Sequence, residues 1–425
     1  MLCSHFTECG GCSQQDIPYP EQLARKRARV QDLLQRALGG RAPHVLPVAG
    51  MPLGADDMPW GFRHKVSFVF GAGPGARGRG GEREAVSRPV RAVAENRPPT
   101  QVSKPVLLFG HFARQSNRVV PVNECPVHSP RGNRIAFAVR DALAKAGITA
   151  AGPDLAGIVR HLIVRTTADE RQAVAMLVVT RNDKRLRAPV RAVMAGKDAP
   201  DGFVINVHDR PGPFMIGRET RVVAGRGHVR EAGLQAASGA AFLISPTAFF
   251  QTNVHAAALL LDEVLASAPA GRALRVLDVY SGSGLFGLPL ALRGHAVTMI
   301  EDNGQAMKDA AENMRTNKIP ATQVRLICER AEVALSGNRS RGPAIRNIDF
   351  AVVDPPREGC PPSVIEALFC TIRPGRVVYV SCNPEALALE LPAILDAGYQ
   401  PDRVLPVDMF PHTEHVEVVV TLRRT

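Results

Sequence analysis

The stretch that most constrains the fold is LRVLDVYSGSGLFGL, residues 274 to 288. An apolar run of strand length stops at a turn in which Gly282, Gly284 and Gly287 follow a G-x-G-x-x-G spacing, and a helix-forming run comes next. Glycines there let the backbone turn tightly and approach a ligand closely. The same alternation runs from about residue 255 to the C-terminus. HAAALLLDEVLASA (255–268) and GQAMKDAAENMRTN (304–317) read as helices, whereas HAVTMIE (295–301), IDFAVVD (348–354), RVVYVSC (376–382) and HVEVVVTLRR (415–424) read as strands. Alternation of this kind predicts an α/β fold with a doubly wound, mostly parallel, Rossmann-like sheet, whose ligands bind beyond the carboxyl ends of the strands.

The residues at those ends carry the chemistry. Glu301 closes the second strand, where a carboxylate can accept from both hydroxyls of a ribose; this and the glycines fit NAD as well as S-adenosylmethionine. VVDPPREG (352–359) sets Asp354 and two prolines at a stiff turn, a pattern common in methyltransferases and not expected of dehydrogenases; an ordinary strand-ending turn is the plainer alternative. An aromatic residue after Asp-Pro-Pro usually marks methylation of an amino nitrogen, but Arg357 stands there. A carbon acceptor such as C5 of uracil is a poor nucleophile until a thiolate adds at C6. Cys382 ends an apolar run, with Asn383 to cap and Pro384 to open a helix, so the helix N-terminus is expected to favour its thiolate. A small buried hydrophobe is the alternative reading of that cysteine. A base for the C5 proton is offered by Glu414 or Glu417, and Glu417, at the start of an apolar strand, is the better placed.

The first part of the chain is organised differently. From Pro20 an amphipathic helix to Leu38 gathers Leu23, Val30, Leu33, Leu34 and Leu38 on one face, opposite basic residues, and is expected to pack on the catalytic half. FRHKVSFVF (62–70), PVLLFGHF (105–112), IVRHLIVRT (158–166), QAVAMLVVT (172–180) and FVINVH (203–208) read as strands, with RIAFAVRDALAKAG (134–147) a helix among them. This predicts a β-rich domain over 1–245 and a catalytic domain over 246–425. Residues 71–104, rich in Gly, Pro and Arg, read as a long flexible loop within a hairpin. Cys3, Cys9 and Cys12 are spaced C-x5-C-x2-C, and with Cys125 they make a four-thiolate set for zinc or an iron–sulfur cluster. Cys328, Cys360 and Cys370 read as packing residues.

A formal net charge of +12 suggests a polyanionic partner, RNA or DNA ahead of a membrane surface. No apolar run reaches bilayer-spanning length, and MLCSHFTECGGC lacks the order of a signal peptide. A cytoplasmic, monomeric protein with reduced or metal-bound cysteines is expected.

Five segments in a fixed order, SPTAFFQTN (245–253), LDVYSGSGLFGLPLA (277–291), DPPREG (354–359), YVSCNP (379–384) and DMFPHTEHVE (408–417), resemble the RNA uracil-C5 methyltransferase family. The resemblance implies a class I methyltransferase domain using S-adenosylmethionine, with Cys382 as nucleophile and Glu417 as proton-abstracting base. It implies cofactor contacts at Gln251, Tyr280, Glu301 and Asp354, and a [4Fe–4S] cluster on Cys3, Cys9, Cys12 and Cys125. Ser281, Ser283 and Leu285 stand where the family usually has Cys, Val and Asn, so the cofactor contact of that asparagine has no counterpart side chain here. The chain is similar to short members without an added RNA-binding barrel, which implies 23S ribosomal RNA as substrate, with transfer RNA as the alternative. Arg63, Lys65, Arg160, His161 and Arg165 are candidates for RNA contact, with a plain surface charge the alternative for each. Two rival readings are an amino-group methyltransferase, for which Cys382 is dispensable, and a non-catalytic RNA-binding protein on the same fold.

Overall fold

The computed structural model describes residues 2–72, 107–211, 215–234, 239–336 and 345–425. The loop expected at 71–104 lies outside the described residues from 73 onward, while Gly71 and Ala72 extend the preceding strand.

Helix α1 (Tyr19–Leu38) opens on Pro18 and Pro20, whose fixed φ suits a first helical turn. The first sheet runs over β1 (Lys65–Ala72), β2 (Leu107–Phe112), β3 (Val119–Pro121), β4 (Val159–Thr166), β5 (Ala173–Val179), β6 (Gly202–Val207) and β7 (Glu219–Gly225). Their order is β3-β2-β1-β4-β5-β6-β7, antiparallel throughout except for the parallel β5–β6 pair. Both faces of its centre are covered, and β5 shows why. Ala173, Ala175, Leu177 and Val179 pack under α2 (Pro130–Lys145) and α3 (Arg187–Met194), whereas Val174, Met176 and Val178 join the core of the C-terminal half. The period of two delivers alternate side chains to two different cores. Helix α2 begins four residues before the expected start, because Ser129 caps it through the Gly132 N–H and Pro130 fits its first turn.

A short ribbon, β8 (Val229–Glu231) with β9 (Phe242–Ile244), leads to α4 (Val254–Ser267), which Asn253 caps through the Ala256 N–H. The second sheet contains β10 (Arg275–Val279), β11 (Ala296–Glu301), β12 (Val324–Cys328), β13 (Phe350–Val353), β14 (Arg376–Ser381), β15 (Tyr399–Val407) and β16 (Glu417–Arg424). Its order is β12-β11-β10-β13-β14-β16-β15; the first five of these are parallel, and β16 runs antiparallel to both of its neighbours. Helices α5 (Gly287–Leu292), α6 (Gly304–Thr316), α7 (Ala331–Leu335), α8 (Pro362–Ile365) and α9 (Pro384–Asp396) make the connections. From β10 the chain goes first to β11 on one side and later to β13 on the other. That reversal opens a crevice beyond the carboxyl ends of β10 and β13.

Helix α1 does pack on this half: Val30, Leu34 and Leu38 share a core with Leu387, Leu391 and Ile394 of α9 and with Val404 of β15. Its basic residues are not all opposite that face. Lys26 is buried, with its Nζ 2.5 Å from Asp408 Oδ1. Among the described residues no helix is long and apolar enough to cross a membrane.

Candidate active site and cysteine pocket

The crevice is built from the strand ends. Tyr280 leaves β10 in a left-handed conformation (φ 64°), and Gly282 and Gly284 follow with φ of 53° and 97°. A Cβ on Gly284 would stand 2.6 Å from Leu288 Cγ, so that glycine is there for the turn and for helix packing. Gly287 is fixed from below: its N–H donates to Asp278 Oδ2 at 2.8 Å. Asp278 is a residue that sequence reasoning missed. It is fully buried inside β10, its Oδ1 has no partner among the described residues, and burial pushes its carboxyl well above the usual range. The signal was present as an acid within an otherwise apolar strand.

Glu301, at the end of β11, accepts the Gly282 N–H at Oε2 (2.9 Å) and the Asn303 N–H at Oε1 (2.8 Å). Burial raises its pKa even so. Asp354 follows β13, and burial, with the Glu301 charge second, pushes it up to about 7. Gln251 is buried in the turn before α4, and the Tyr280 hydroxyl is buried without a hydrogen-bond partner among the described residues. Tyr280, Glu301 and Asp354 thus follow or end adjacent strands of the second sheet, where burial disfavours negative charge.

Cys382 and Glu417 come together through strand register. In the antiparallel β14–β16 pair Ser381 faces Val418, so one step further Cys382 and Glu417 face each other at the carboxyl end of the sheet. Asn383 caps α9 by accepting from the Glu385 N–H at 3.2 Å, and Pro384 opens the helix. The helix start is as expected, but the electrostatic outcome is not. Burial, then the charges of Glu417 and Asp354, push the Cys382 thiol up to about 12, against the pull of Arg357. Two carboxylates and poor hydration outweigh the helix N-terminus, and the thiol is the resting form. Glu417 is 2% exposed, its Oε2 is unpartnered among the described residues, and burial followed by Asp354 pushes it up to about 8. Glu414 is exposed on the surface, so the two glutamates that sequence left open are separated by burial.

The loop between β15 and β16 leads into Glu417, and the N-terminal segment clamps it. Ser13 and Gln14 donate backbone N–H groups to the His412 carbonyl at 2.8 and 2.9 Å. Gln22 accepts the His412 N–H at 2.9 Å and donates to the Gln14 carbonyl at 2.9 Å. Trp60 stacks on the His412 ring with centroids 4.4 Å apart.

That segment follows directly on the cysteines. Cys3, Cys9, Cys12 and Cys125 line one small cavity of about 40 Å³, together with His111, His128 and Arg63. Cys3 and Cys9 accept backbone N–H groups from His5 (3.5 Å) and Gly11 (3.4 Å). Burial and the neighbouring thiols push Cys125 up to about 12. No three of the four sulfurs lie within 4.8 Å of one another; the described trio that does is His111, Cys125 and His128. Sulfurs on one zinc stand about 3.8 Å apart, given Zn–S bonds of about 2.3 Å and tetrahedral geometry. No three of the four sulfurs therefore meet at the spacing of a single zinc. Of the other cysteines, Cys360 is buried as expected, but Cys328 and Cys370 are exposed and do not pack in the core.

The expected RNA contacts divide. Arg165 is 2% exposed and burial pushes it down to about 10; Lys65 is pushed down to about 7 and His161 to about 4, also by burial. Arg165 is an interior group, contrary to expectation, whereas Lys65 and His161 are half-buried. Arg63 lies over the Phe410 ring at 5.7 Å, and Arg160 donates to the His208 and Arg210 carbonyls.

Comparison with known proteins agrees with this architecture. The family model described as tRNA (uracil-5-)-methyltransferase matches residues 205–425. An uncharacterised RNA methyltransferase of Gloeobacter violaceus is 33% identical over 100% of this chain and 82% of its own. One from Caldanaerobacter subterraneus is 30% identical over 100% of this chain and 84% of its own. The structure of the Pyrococcus abyssi tRNA (uracil-54, C5)-methyltransferase in complex with S-adenosyl-L-homocysteine superposes with a TM-score of 0.70, at 23% identity, covering 97% of this chain and 85% of that one. That likeness is one of fold, and it spans both sheets. With its class I sheet and the thiol–carboxylate pair at the sheet's carboxyl end, the chain belongs to the tRNA (uracil-5-)-methyltransferase family of RNA methyltransferases.

Proposed function

We propose that the protein methylates C5 of a uridine in RNA through a covalent bond between Cys382 and C6. The observation that carries this reading is the pairing of Cys382 and Glu417 across adjacent strands, beside Asp354. S-adenosylmethionine, when bound, supplies an electrophilic methyl group and a positive charge. Glu301 would hold its ribose hydroxyls; Gln251, Tyr280 and Asp354 would line the rest of its pocket. The orphaned Tyr280 hydroxyl and the raised carboxyls fit a polar, cationic occupant.

Cys382 gives its proton to bulk water, its sulfur adds to C6, and the electron pair of the C5=C6 bond moves toward O4. C5 then takes the methyl group. Glu417 removes the C5 proton, the double bond re-forms, and the C6–S bond breaks to release the thiolate. The catalytic residues rest in their neutral forms, so positive charge in the crevice, from the cofactor and Arg357, favours the ionised pair.

Residues 1–245 then carry the cluster and contact RNA, and 246–425 carry the chemistry. We assign a [4Fe–4S] cluster to Cys3, Cys9, Cys12 and Cys125, supported by their shared cavity. The expected substrate is 23S ribosomal RNA, with transfer RNA as the alternative; mapping 5-methyluridine in a deletion strain decides between them.

The mechanism is tested on denaturing gels with labelled RNA and S-adenosylmethionine. Cys382→Ala should abolish methylation and adduct alike, whereas Glu417→Gln should let methylated adduct accumulate. Appreciable methylation by Cys382→Ala would sink the covalent mechanism.

A further inference from the structure

The amino end of the second sheet, opposite the crevice, carries two hollows that meet at Ile348. One, of about 580 Å³, is lined by Arg272, Arg373, Arg376, Arg423 and Arg424; the other, of about 420 Å³, by Arg275, Arg325 and Arg346. The single carboxylate in either lining is Asp349, which pairs with Arg272 at 2.7 Å. Asp402 nearby takes Arg376 and Arg423 at 3.5 and 3.2 Å. Among the described residues no ion pair is found for Arg346, Arg373 or Arg424, which leave the groove with an excess of positive charge. Its origin is topological: β10, β13 and β14 start here, and β16 ends here with Arg423 and Arg424.

We infer that this groove binds the phosphodiester backbone of the substrate RNA at a distance from the target uridine. The inference rests on the proposed RNA substrate and adds a second contact to it. Arginines on open, solvent-facing hollows suit phosphates, which they meet in a planar two-donor geometry. The five residues of β10 alone put about 17 Å between groove and crevice, at about 3.3 Å per residue. One short hairpin seated in the crevice does not extend around the sheet, whereas a long folded RNA does. The groove therefore acts on recognition of the large RNA and leaves the chemistry untouched.

The test is the triple variant Arg275→Gln, Arg346→Gln, Arg373→Asn. All three arginines are exposed, and asparagine tolerates the left-handed backbone at position 373 (φ 52°). Kinetics are compared on the longest transcript and the shortest hairpin that the wild type methylates. On the long transcript KM should rise about tenfold with kcat unchanged, and the slope of log affinity against log salt should fall by about 2, since each phosphate contact contributes about 0.7 to 0.9. On the hairpin both constants should be unchanged. Equal KM on both RNAs, or an equal loss on both, would overturn the inference. Reduced binding to anionic vesicles with RNA binding intact would assign the groove to a membrane instead. If the wild type methylates no RNA, the functional reading fails by itself, and direct binding of the 23S transcript still decides the groove.

Discussion

Cys382 in the crevice and Cys125 in the four-cysteine cavity are, like the core residue Cys360, pushed up to about 12. In both, burial is the larger cause and neighbouring negative groups are the next. The surroundings differ in what relieves the strain. Around Cys125 the negative neighbours are other cysteines, two of which already accept backbone N–H groups, and His111, His128 and Arg63 close the cavity. In the proposed reading such a site is completed by a bound cluster. Around Cys382 the neighbours are Glu417 and Asp354, and the crevice opens at the strand ends. There the missing positive charge arrives with a reactant and leaves again. In the proposed reading the same physical frustration is structural in one place and catalytic in the other.

The contrast is most exposed to failure in paired cysteine variants. Cys125→Ser should lose the visible absorption of a cluster and on the order of 5 kcal/mol of stability, because the binding energy of a structural metal site, on the order of 10 kcal/mol, is folding energy. Cys382→Ala should lose activity with little change in melting temperature. Equal melting temperatures for the two variants would erase the distinction, and zinc without iron in anaerobically purified protein would overturn the cluster.

A smaller effect is expected with pH. Glu417 and Asp354 have folded pKa values near 8 and 7, above their unfolded values, so their contribution to stability is complete below about pH 4 and lost as pH rises toward 8. For Glu417 the loss is on the order of a few kcal/mol. Glu417→Gln removes it, so at pH 8 the variant should melt above the wild type and at pH 4 the two should coincide. A constant difference across that range would mean that the carboxyl is not strained. The smallest effect concerns the cofactor. Glu301→Ala should weaken S-adenosylmethionine binding by about 1.5 to 3 kcal/mol, the value of a charged hydrogen bond, and leave RNA affinity alone. Unchanged cofactor affinity by calorimetry would remove Glu301 from the pocket.

Much of this was legible in the sequence. Apolar runs of strand length between helical runs marked five strands of the second sheet but not β12, and the candidate site residues stand at its strand ends because that is where a doubly wound sheet leaves a crevice. β15 was not legible: Pro401 and Pro406 argue against a strand, and both are tolerated because β15 is an edge with a bulge between Pro401 and Arg403. β7 was hidden for a related reason, since this edge strand is largely exposed and lacks an apolar face. The charge state of Cys382 was not legible either. It depends on carboxylates brought near by register, and a local motif shows only the helix start. Lys26 and Arg165 read as surface cations until burial was known.

The Lys26–Asp408 contact has a consequence for how the protein is made. The two residues are 382 positions apart, and Gln22 and His412 are 390 apart. At about 5 to 20 residues per second, the ribosome delivers Asp408 on the order of 20 to 80 s after Lys26. Until then α1 can coil but cannot dock, since its ammonium has no counter-charge to enter the interior with. The apolar face of Val30, Leu34 and Leu38 stays open for the same interval, waiting for α9 and β15. The first helix synthesised is therefore the last to be locked, and a nascent chain arrested before residue 408 presents that face to chaperones and proteases.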